Sequence, residues 1–344
     1  MTKTIRNFAA GAAMLALAAC GSSEQAPQRL TGIGATFPEP IYTKWFSEYQ
    51  KLHNEIQINY QGQGSGAGIR QVTDGTVDFG ASDQPMTDEQ IAAFKTARSS
   101  GILHFPTVLG AVVPTYNLAG ISAELNFTPA ALAGIFLGKI KKWNDPALVS
   151  ANPDVKLPSA EIVVIHRSDG SGTSFVLTDY LSKVSPEWAA GPGRGAAISW
   201  PVGLGGKGNP GVVGLVKQTP NSIGYTEMIF AIQNSMPAGR MQNAAGKFIK
   251  ATPESATEAA ASVPMTADFR VSITNASGDG AYPISSFTWL LIPDKIQDAA
   301  KRTVIVDFLK WMLGPGQSMA PALQFAALPA PVLEKELQAI NNIQ

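Results

Sequence analysis

From Leu30 onward, the chain alternates short runs of β-branched and apolar residues with longer segments in which apolar residues recur at helical spacing. Leu30 to Gly34 predicts a first strand. Ile41, Trp45 and Tyr49 then lie on one face of a predicted helix. Strands that alternate with helices in this way are typical of proteins in which helices cover a mostly parallel sheet. We therefore expect an α/β fold.

The same pattern continues along most of the chain. Further strands are predicted at Ile56–Tyr60, Val77–Ala81, Glu161–His166 and Ser286–Ile292, and further helices at Ala67–Thr73, Thr173–Lys183 and Val304–Leu313. Phe105 to Asn117 is a long apolar stretch interrupted by prolines, and we expect it to cross between domains. Residues 235–280 are the least readable part, with only weak helical patterning around Pro253 to Ala261, and we assign them no function.

The first residues predict a secretion signal. Lys3 and Arg6 precede an apolar run from Phe8 to Ala19 that is too short for the ~20 residues of a membrane-spanning helix. We expect residues 1–19 to be removed. The remaining length of about 325 residues suggests two domains at about 150 residues each.

Cys20, the chain's only cysteine, follows Leu17-Ala18-Ala19, a run that resembles a bacterial lipobox. On this interpretation Cys20 is the lipid attachment site and residues 20–29 form a flexible tether, because they are polar and lack periodicity. The alternative is an ordinary signal peptide with Cys20 lost or left free. The protein would lie in the periplasm or cell envelope, with contact to the membrane only through that lipid.

Charge and composition narrow the range of partners. The full chain has 26 basic and 26 acidic residues, and removal of Lys3 and Arg6 with the signal leaves 24 basic and 26 acidic residues. The sequence shows no basic stripe of the kind that nucleic-acid-binding proteins carry. The histidines are scattered and make no metal-ligand spacing, so we expect neither a metal nor a cofactor. No cysteine is left to form a disulfide, so packing must stabilise the fold.

Three places share one design, in which a strand ends, a small polar turn follows and a helix begins. They are Ala35-Thr36-Phe37-Pro38, Gly64-Ser65-Gly66-Ala67 and Gly170-Ser171-Gly172-Thr173. A helix start offers unpaired N–H groups and partial positive charge, and hydroxyls add donors without adding charge. Each hydroxyl could instead be only a helix cap. In an open α/β sheet, however, ligands bind beyond the carboxyl ends of strands, which is where all three turns fall.

Two charged residues beside these turns sharpen the prediction. Arg167 could present its planar guanidinium to an oxyanion, with Asp169 as its partner and support. Asp83 follows the predicted strand Val77–Ala81, and a carboxylate at an anion site makes sense only if the anion keeps a proton. Phosphate keeps one at neutral pH and sulfate does not. The alternative is that Asp83 caps a helix starting at Pro85 or Met86.

Several motifs together resemble the phosphate-binding protein of the bacterial phosphate-specific ABC transporter. They are Thr31-Gly32-Ile33-Gly34-Ala35-Thr36-Phe37-Pro38, Val77-Asp78-Phe79-Gly80-Ala81-Ser82-Asp83, Gly138-Lys139-Ile140-Lys141-Lys142-Trp143, Arg167-Ser168-Asp169-Gly170-Ser171-Gly172-Thr173-Ser174-Phe175 and Trp200-Pro201-Val202-Gly203-Leu204-Gly205-Gly206-Lys207-Gly208. The resemblance runs from about Leu30 to Gly224 and continues weakly beyond.

The resemblance implies a two-domain periplasmic-binding-protein type II fold, with a ligand cleft and a two-connection hinge, and we expect each domain to have its own central sheet. It places residues 30–107 and 285–344 in a discontinuous first domain and 110–280 in a second. The implied phosphate ligands are Thr36, Phe37 through its N–H, Ser65, Asp83, Arg167, Ser171, Gly172 and Thr173. The implied partners are inorganic phosphate and the permease subunits of an ABC importer, and we expect a monomer.

Other functions stay open at this point. A receptor for a related oxyanion such as arsenate, or a lipid-anchored phosphate sensor or scavenger, would use the same residues. A hydrolase with Ser65 or Ser171 as nucleophile is disfavoured, because neither serine lies in a Gly-x-Ser-x-Gly motif and His166 is predicted to point to the other face of its strand from Arg167. We therefore expect a binding protein and not an enzyme.

Overall fold

A computed structural model of the protein describes residues 28–121 and 123–344. The predicted signal peptide, the lipid site at Cys20 and the tether as far as residue 27 lie outside the described residues. Among the helices of the two described ranges, none combines the length and the apolar character that crossing a membrane requires.

The described residues form alternating strands and helices, as the sequence predicts. The strands are β1 (Gln28–Gly34), β2 (Ile56–Gly62), β3 (Phe79–Ser82), β4 (Ile102–Asn117), β5 (Asn126–Phe127), β6 (Val163–Arg167), β7 (Leu204–Gly206), β8 (Ser222–Glu227), β9 (Arg240–Gln242), β10 (Phe248–Ile249) and β11 (Ser285–Pro293). The helices are α1 (Glu39–Leu52), α2 (Ser65–Asp74), α3 (Asp88–Arg98), α4 (Pro129–Phe136), α5 (Pro146–Ala151), α6 (Gly172–Val184), α7 (Pro186–Ala190), α8 (Gly208–Gln218), α9 (Met228–Gln233), α10 (Pro253–Ala261), α11 (Ala299–Leu313) and α12 (Ala330–Ala339). Short 3₁₀ helices lie at Pro315–Met319, Pro321–Leu323 and Ile340–Asn342.

One sheet runs through the protein in the order β2-β1-β3-β11-β4-β8-β6-β7. β1 pairs in parallel with β2 and β3, and β6 pairs in parallel with β7 and β8. β11 and β4 join these two groups by antiparallel pairing. We call the part of the sheet from β2 to β11, with its helices, the first half, and the part from β8 to β7, with its helices, the second half.

β4 belongs to both halves. Its residues from Ile102 to Ala111 pair with β11, and those from Val112 to Asn117 pair with β8. Nearly the whole strand is buried. The stretch predicted to cross between domains is thus a single shared strand, and the two separate central sheets that we expected are replaced by one curled sheet. A continuous strand supplies backbone hydrogen-bond partners on both sides of the crossing, which two separate sheets would lack.

The first half is packed through an aromatic face of α1. Tyr42, Trp45 and Tyr49 are buried, and the Trp45 indole N–H donates to the Gly316 carbonyl at 2.7 Å. Tyr49 packs edge-to-face on Phe308 of α11, with ring centroids 5.3 Å apart. The helical spacing of these side chains in the sequence therefore marks the inner face of α1 correctly.

Several predicted boundaries shift. β1 begins at Gln28, so Gln28 and Arg29 belong to a strand and not to the tether. The region from 235 to 280 contains a small sheet, β10-β9-β5, and α10, whose bounds match the weak helical pattern. α3 begins at Asp88 and is capped by Thr87, so the alternative in which Asp83 caps a helix at Pro85 or Met86 is wrong.

α2 lies directly on the backbone of the strands beneath it. A Cβ placed on Gly68 would come within 2.5 Å of the Ala81 carbonyl oxygen and 2.8 Å of the Gly34 Cα. Only glycine fits this contact. The contact holds Ser65, at the start of α2, against the carboxyl ends of β1 and β3.

Gly68→Ala should therefore lower the free energy of unfolding by about 2 kcal/mol, because the added methyl group overpacks this contact. Gly214→Ala is the matched control, since Gly214 is also inside a helix but has nothing within 4 Å of the added Cβ. It should stabilise the protein by up to ~1 kcal/mol. Urea unfolding measures both. Equal stability of Gly68→Ala and the unchanged protein would contradict the contact.

Candidate functional site

The predicted strand-to-helix junctions meet where the two halves face each other. Thr36 and Phe37 connect β1 to α1, Ser65 begins α2, Asp83 follows β3, and Ser171 caps α6 by accepting from Ser174 N–H. The eight residues predicted from the sequence are all buried, namely Thr36, Phe37, Ser65, Asp83, Arg167, Ser171, Gly172 and Thr173. The contacts described below join six of them, and Phe37 and Ser171 are the immediate chain neighbours of Thr36 and Gly172.

Ser65 links the halves directly. Its Oγ accepts from the Asp83 N–H at 3.1 Å and from the Gly172 N–H, on the other half, at 3.0 Å. A Cβ on Gly172 would lie 2.4 Å from the Ser65 Oγ and 2.5 Å from the Asp83 Oδ2, so only glycine allows this approach. The start of α6 therefore lies against both Ser65 and the Asp83 carboxyl.

Two threonine hydroxyls are held in a similar way. Thr36 Oγ1 accepts from the backbone N–H and the side-chain Nδ2 of Asn209, at 3.1 and 3.0 Å. Thr173 Oγ1 accepts from Arg167 Nη1 at 3.3 Å and from Asn209 Nδ2 at 3.2 Å. A hydroxyl has two acceptor lone pairs and one hydrogen. With both lone pairs occupied, Ser65, Thr36 and Thr173 can each only donate a further hydrogen bond.

Arg167 is held by Asp169, as the sequence suggests. The guanidinium donates through Nε to Asp169 Oδ1 at 2.8 Å and through Nη2 to Oδ2, which is the bidentate geometry of a strong pair. Asp169 also accepts from the Gly208 N–H at 3.0 Å. Burial opposes ionisation of Asp169, but the hydrogen bonds and charge of Arg167 outweigh it and hold the pKa of this carboxyl below its ordinary value. Asp169 is therefore ionised at neutral pH.

Asp83 is the acceptor of the site. Its Oδ1 accepts from the Thr288 hydroxyl at 2.8 Å. Burial raises the pKa of the Asp83 carboxyl to about 7, although Thr288, Arg167 and Ser65 all act to lower it. At neutral pH the group therefore lies near the midpoint between a carboxylate, which accepts hydrogen bonds, and a carboxylic acid.

The geometry gives little support to a serine nucleophile. His166 Nδ1 lies 3.0 Å from the Arg167 carbonyl oxygen, and the imidazole stacks on Trp200 with centroids 5.0 Å apart. Ser65 and Ser171 are instead occupied by backbone N–H donors. A nucleophile needs a base within hydrogen-bond reach, and the contacts of His166 lie elsewhere.

Similarity to known proteins shows the family of the chain. A family model described as a PBP superfamily domain matches residues 21–315. The chain is 43% identical over 322 residues to the phosphate-binding protein PstS of Xylella fastidiosa strain Temecula1, an alignment that covers 92% of this chain and 86% of that protein. It is 40% identical over 334 residues to the PstS protein of Methanocaldococcus jannaschii, covering 90% and 85%. The chain belongs to the PstS family of the PBP superfamily.

Solved structures share the fold. A high-affinity periplasmic phosphate-binding protein bound with phosphate superposes with a TM-score of 0.73 at 21% identity, over 90% of this chain and 93% of that one. A putative phosphate ABC transporter substrate-binding protein from Clostridium perfringens gives 0.63 at 18%, over 88% and 100%. The family resemblance and the two-domain periplasmic-binding fold predicted from the sequence are thus confirmed.

Sequence reasoning missed three residues that hold the site together. Asn209 lies one position beyond the glycine-rich motif that carried the resemblance. Thr288 is a polar residue inside the apolar run that predicted β11, and that interruption was a usable signal. The Tyr225 hydroxyl accepts from the Arg167 N–H at 3.0 Å and contacts the Ser174 hydroxyl at 2.6 Å. No local pattern marks Tyr225.

Asp83→Asn should change how the stability of the protein depends on pH. The raised pKa means that the folded protein holds this proton where the unfolded chain has lost it, so stability is lost as pH rises from about 4 to about 7. The asparagine variant lacks this loss. Relative to the unchanged protein it should therefore gain up to ~4 kcal/mol of unfolding free energy between pH 4 and pH 8.

Urea unfolding in phosphate-free buffer at the two pH values measures this difference. Glu227 and Glu336 are also buried with raised pKa values, but both are present in the two proteins, so their pH dependence largely cancels. A stability difference that stays constant from pH 4 to pH 8 would contradict the environment assigned to Asp83.

Proposed function

We propose that this protein binds inorganic phosphate between its two halves and delivers it to the permease of an ABC importer. The observation that carries the proposal is a set of buried N–H and O–H donors arranged around one buried carboxyl. The proposed ligand residues are Thr36, Phe37 through its N–H, Ser65, Asp83, Arg167, Ser171, Gly172 and Thr173, with Asp169 in support. The names of the PstS relatives agree with this ligand.

Hydrogen bonding accounts for the choice of ligand. Hydroxyls of Ser65, Thr36 and Thr173 that can only donate suit the acceptor oxygens of an oxyanion. The carboxylate of Asp83, which among the described residues has no cationic partner of its own like that of Asp169, suits an anion that still has an O–H to donate. Phosphate meets both conditions at neutral pH. Sulfate lacks the proton and would set two negative oxygens against each other, which costs several kcal/mol.

Charge alone does not account for binding. The charge of Arg167 is matched by Asp169, its bidentate partner, and Asp83 adds negative charge when ionised. Neutral donors must therefore supply much of the attraction. In a buried site such donors are strong, because water does not compete for the ligand oxygens.

Contacts between the two halves support their closure around the ligand. The Gly66 N–H donates to the Gly170 carbonyl at 2.9 Å, beside the Ser65–Gly172 contact. A ligand bonded to both halves favours the arrangement in which they meet. We propose residues 30–107 with 285–344 as one domain and 110–280 as the other. The change of β4 from β11 to β8 between Ala111 and Val112 supports that division.

The same proposal places the protein outside the cytoplasmic membrane as a monomeric binding protein without enzymatic activity. Arsenate would fit the same donors and the same carboxyl, because it also keeps a proton, so it should compete with phosphate. A phosphate sensor or scavenger would share the site and differ only in its partner.

Calorimetric titration of phosphate-stripped protein with phosphate, sulfate and arsenate tests the ligand. We expect phosphate to bind far more tightly than sulfate, and Asp83→Asn to reduce that ratio by about tenfold or more, because the variant no longer repels a fully deprotonated anion. Asp179→Asn is the control, since Asp179 is also a buried carboxylate but bonds to Ser272 and Thr274. Sulfate binding as tight as phosphate binding would overturn the proposal.

Lipid attachment at Cys20 is tested by intact-mass analysis of protein taken from the producing cell. We expect a mature chain that begins at Cys20 and carries the added mass of acyl groups. Cys20→Ala should remove that mass and release the protein from the membrane fraction. A lipid-free mature mass for the unchanged protein would argue for the ordinary signal peptide.

A further inference from the structure

Asn209 lies at the centre of the site but is not among the proposed phosphate ligands. It is fully buried at the start of α8. Its Nδ2 donates to Thr36 Oγ1 at 3.0 Å and to Thr173 Oγ1 at 3.2 Å, and its Oδ1 accepts from the Thr226 hydroxyl at 3.1 Å and the Glu227 N–H at 3.3 Å. The side-chain amide is therefore fully bonded.

The orientation of this amide follows from its partners. Oxygen and nitrogen of an asparagine amide are distinguished by the groups they meet. The Glu227 backbone N–H can only donate, so the atom facing it must be Oδ1. Nδ2 then faces the two threonines and directs one hydrogen to each.

Those two hydrogens determine whether the hydroxyls of Thr36 and Thr173 act as donors or acceptors toward a ligand. Thr36 already accepts from the Asn209 N–H, and Thr173 already accepts from Arg167. The Nδ2 hydrogens fill the second lone pair of each oxygen. Each hydroxyl can therefore donate one further hydrogen bond but accept none, which suits an acceptor oxygen of an anion.

Asn209 also connects the site to the place where the halves join. Thr36 belongs to the first half, whereas Thr173 and Asn209 belong to the second. Oδ1 is fixed by the end of β8, where Glu227 pairs with Val112 of β4. Separation of the halves must break the bonds between Asn209 and Thr36, so these bonds form only when the halves meet.

We propose that Asn209 is a positioning residue of the phosphate site, which fixes the hydroxyls of Thr36 and Thr173 as donors and couples their alignment to the meeting of the two halves. This inference rests on the proposed function, since it concerns the same ligand. A purely structural role for Asn209 would instead affect folding stability alone, with no energetic link to Thr36 in ligand binding.

A double-mutant cycle with Asn209→Ala and Thr36→Val separates these roles. Phosphate affinity is measured by calorimetry for the unchanged protein, each single variant and the double variant. Each single variant should bind about tenfold more weakly or worse, the loss expected for one hydrogen bond to a charged group. Because Asn209 acts through Thr36, the two losses should not multiply. The loss of phosphate affinity in the double variant should be at least about fivefold smaller than the product of the two single losses.

Stopped-flow release of phosphate gives a second measurement. Asn209→Ala should speed release more than it slows capture, because the bonds to Thr36 hold the halves together only after they have met. Asn243→Ala is the matched control, since Asn243 is also a buried asparagine but bonds to the carbonyls of Gly278, Asp279 and Ala281. It should lower stability and leave phosphate affinity within about twofold.

Each outcome is distinct. The inference would be overturned if the loss of affinity in the double variant equalled the product of the two single losses within about twofold. It would also be overturned if Asn209→Ala bound phosphate as tightly as the unchanged protein. Either result would leave phosphate binding by the unchanged protein intact. An unchanged protein that does not bind phosphate would overturn the proposed function, and this inference with it. If Asn209→Ala does not fold, the cycle is run with Asn209→Ser, which keeps a polar group at the position but cannot serve both threonines at once.

Discussion

The hydrogen bonds received by Ser65 Oγ are the contact on which the site depends most. One comes from the Asp83 N–H within the same half, and the other comes from the Gly172 N–H across the interface. A buried polar group without a partner costs about 1–3 kcal/mol. Ser65 Oγ and the Gly172 N–H can therefore be buried between the halves at low cost only when they bond to each other. In the proposed function, the meeting of the halves and the assembly of the anion site therefore coincide, because both depend on the hydrogen bonds to Ser65 Oγ.

The shared strand makes this matching possible. The first ten residues of β4 pair with β11 and the remaining residues pair with β8, so one continuous backbone holds the two halves in register. In the proposed closure, motion between the halves occurs around β4 and around the start of β11 at Ser285, where the chain passes between the two proposed domains. Such an arrangement allows rigid halves to approach or separate while each keeps its own core.

The fold class and the eight proposed ligands could be predicted because their signals are local. Helical spacing marks α1, and each strand–turn–helix junction is a few residues long. The contacts of Asn209 with Thr36 and of Thr288 with Asp83 could not be predicted in that way, because they join residues that are 173 and 205 positions apart. Sequence periodicity also cannot show that β4 is shared, because a buried strand looks the same whether it has one partner or changes partners.

Two carboxyl groups near the site differ in a way that matters for the ligand. Glu227 is fully buried, and burial, with a smaller contribution from the charge of Asp83, raises its pKa well above the ordinary value. Burial therefore favours the protonated form of Glu227, whereas the hydrogen bond from Thr288 and the nearby charge of Arg167 favour the ionised form of Asp83. If Glu227 and Asp83 were both ionised, their charges would repel a doubly charged anion. If only Asp83 is ionised, the site has one carboxylate that can accept a hydrogen bond from the ligand. The burial of Glu227 therefore supports the proposed preference for a protonated anion, together with the hydrogen bond and charge that favour ionisation of Asp83.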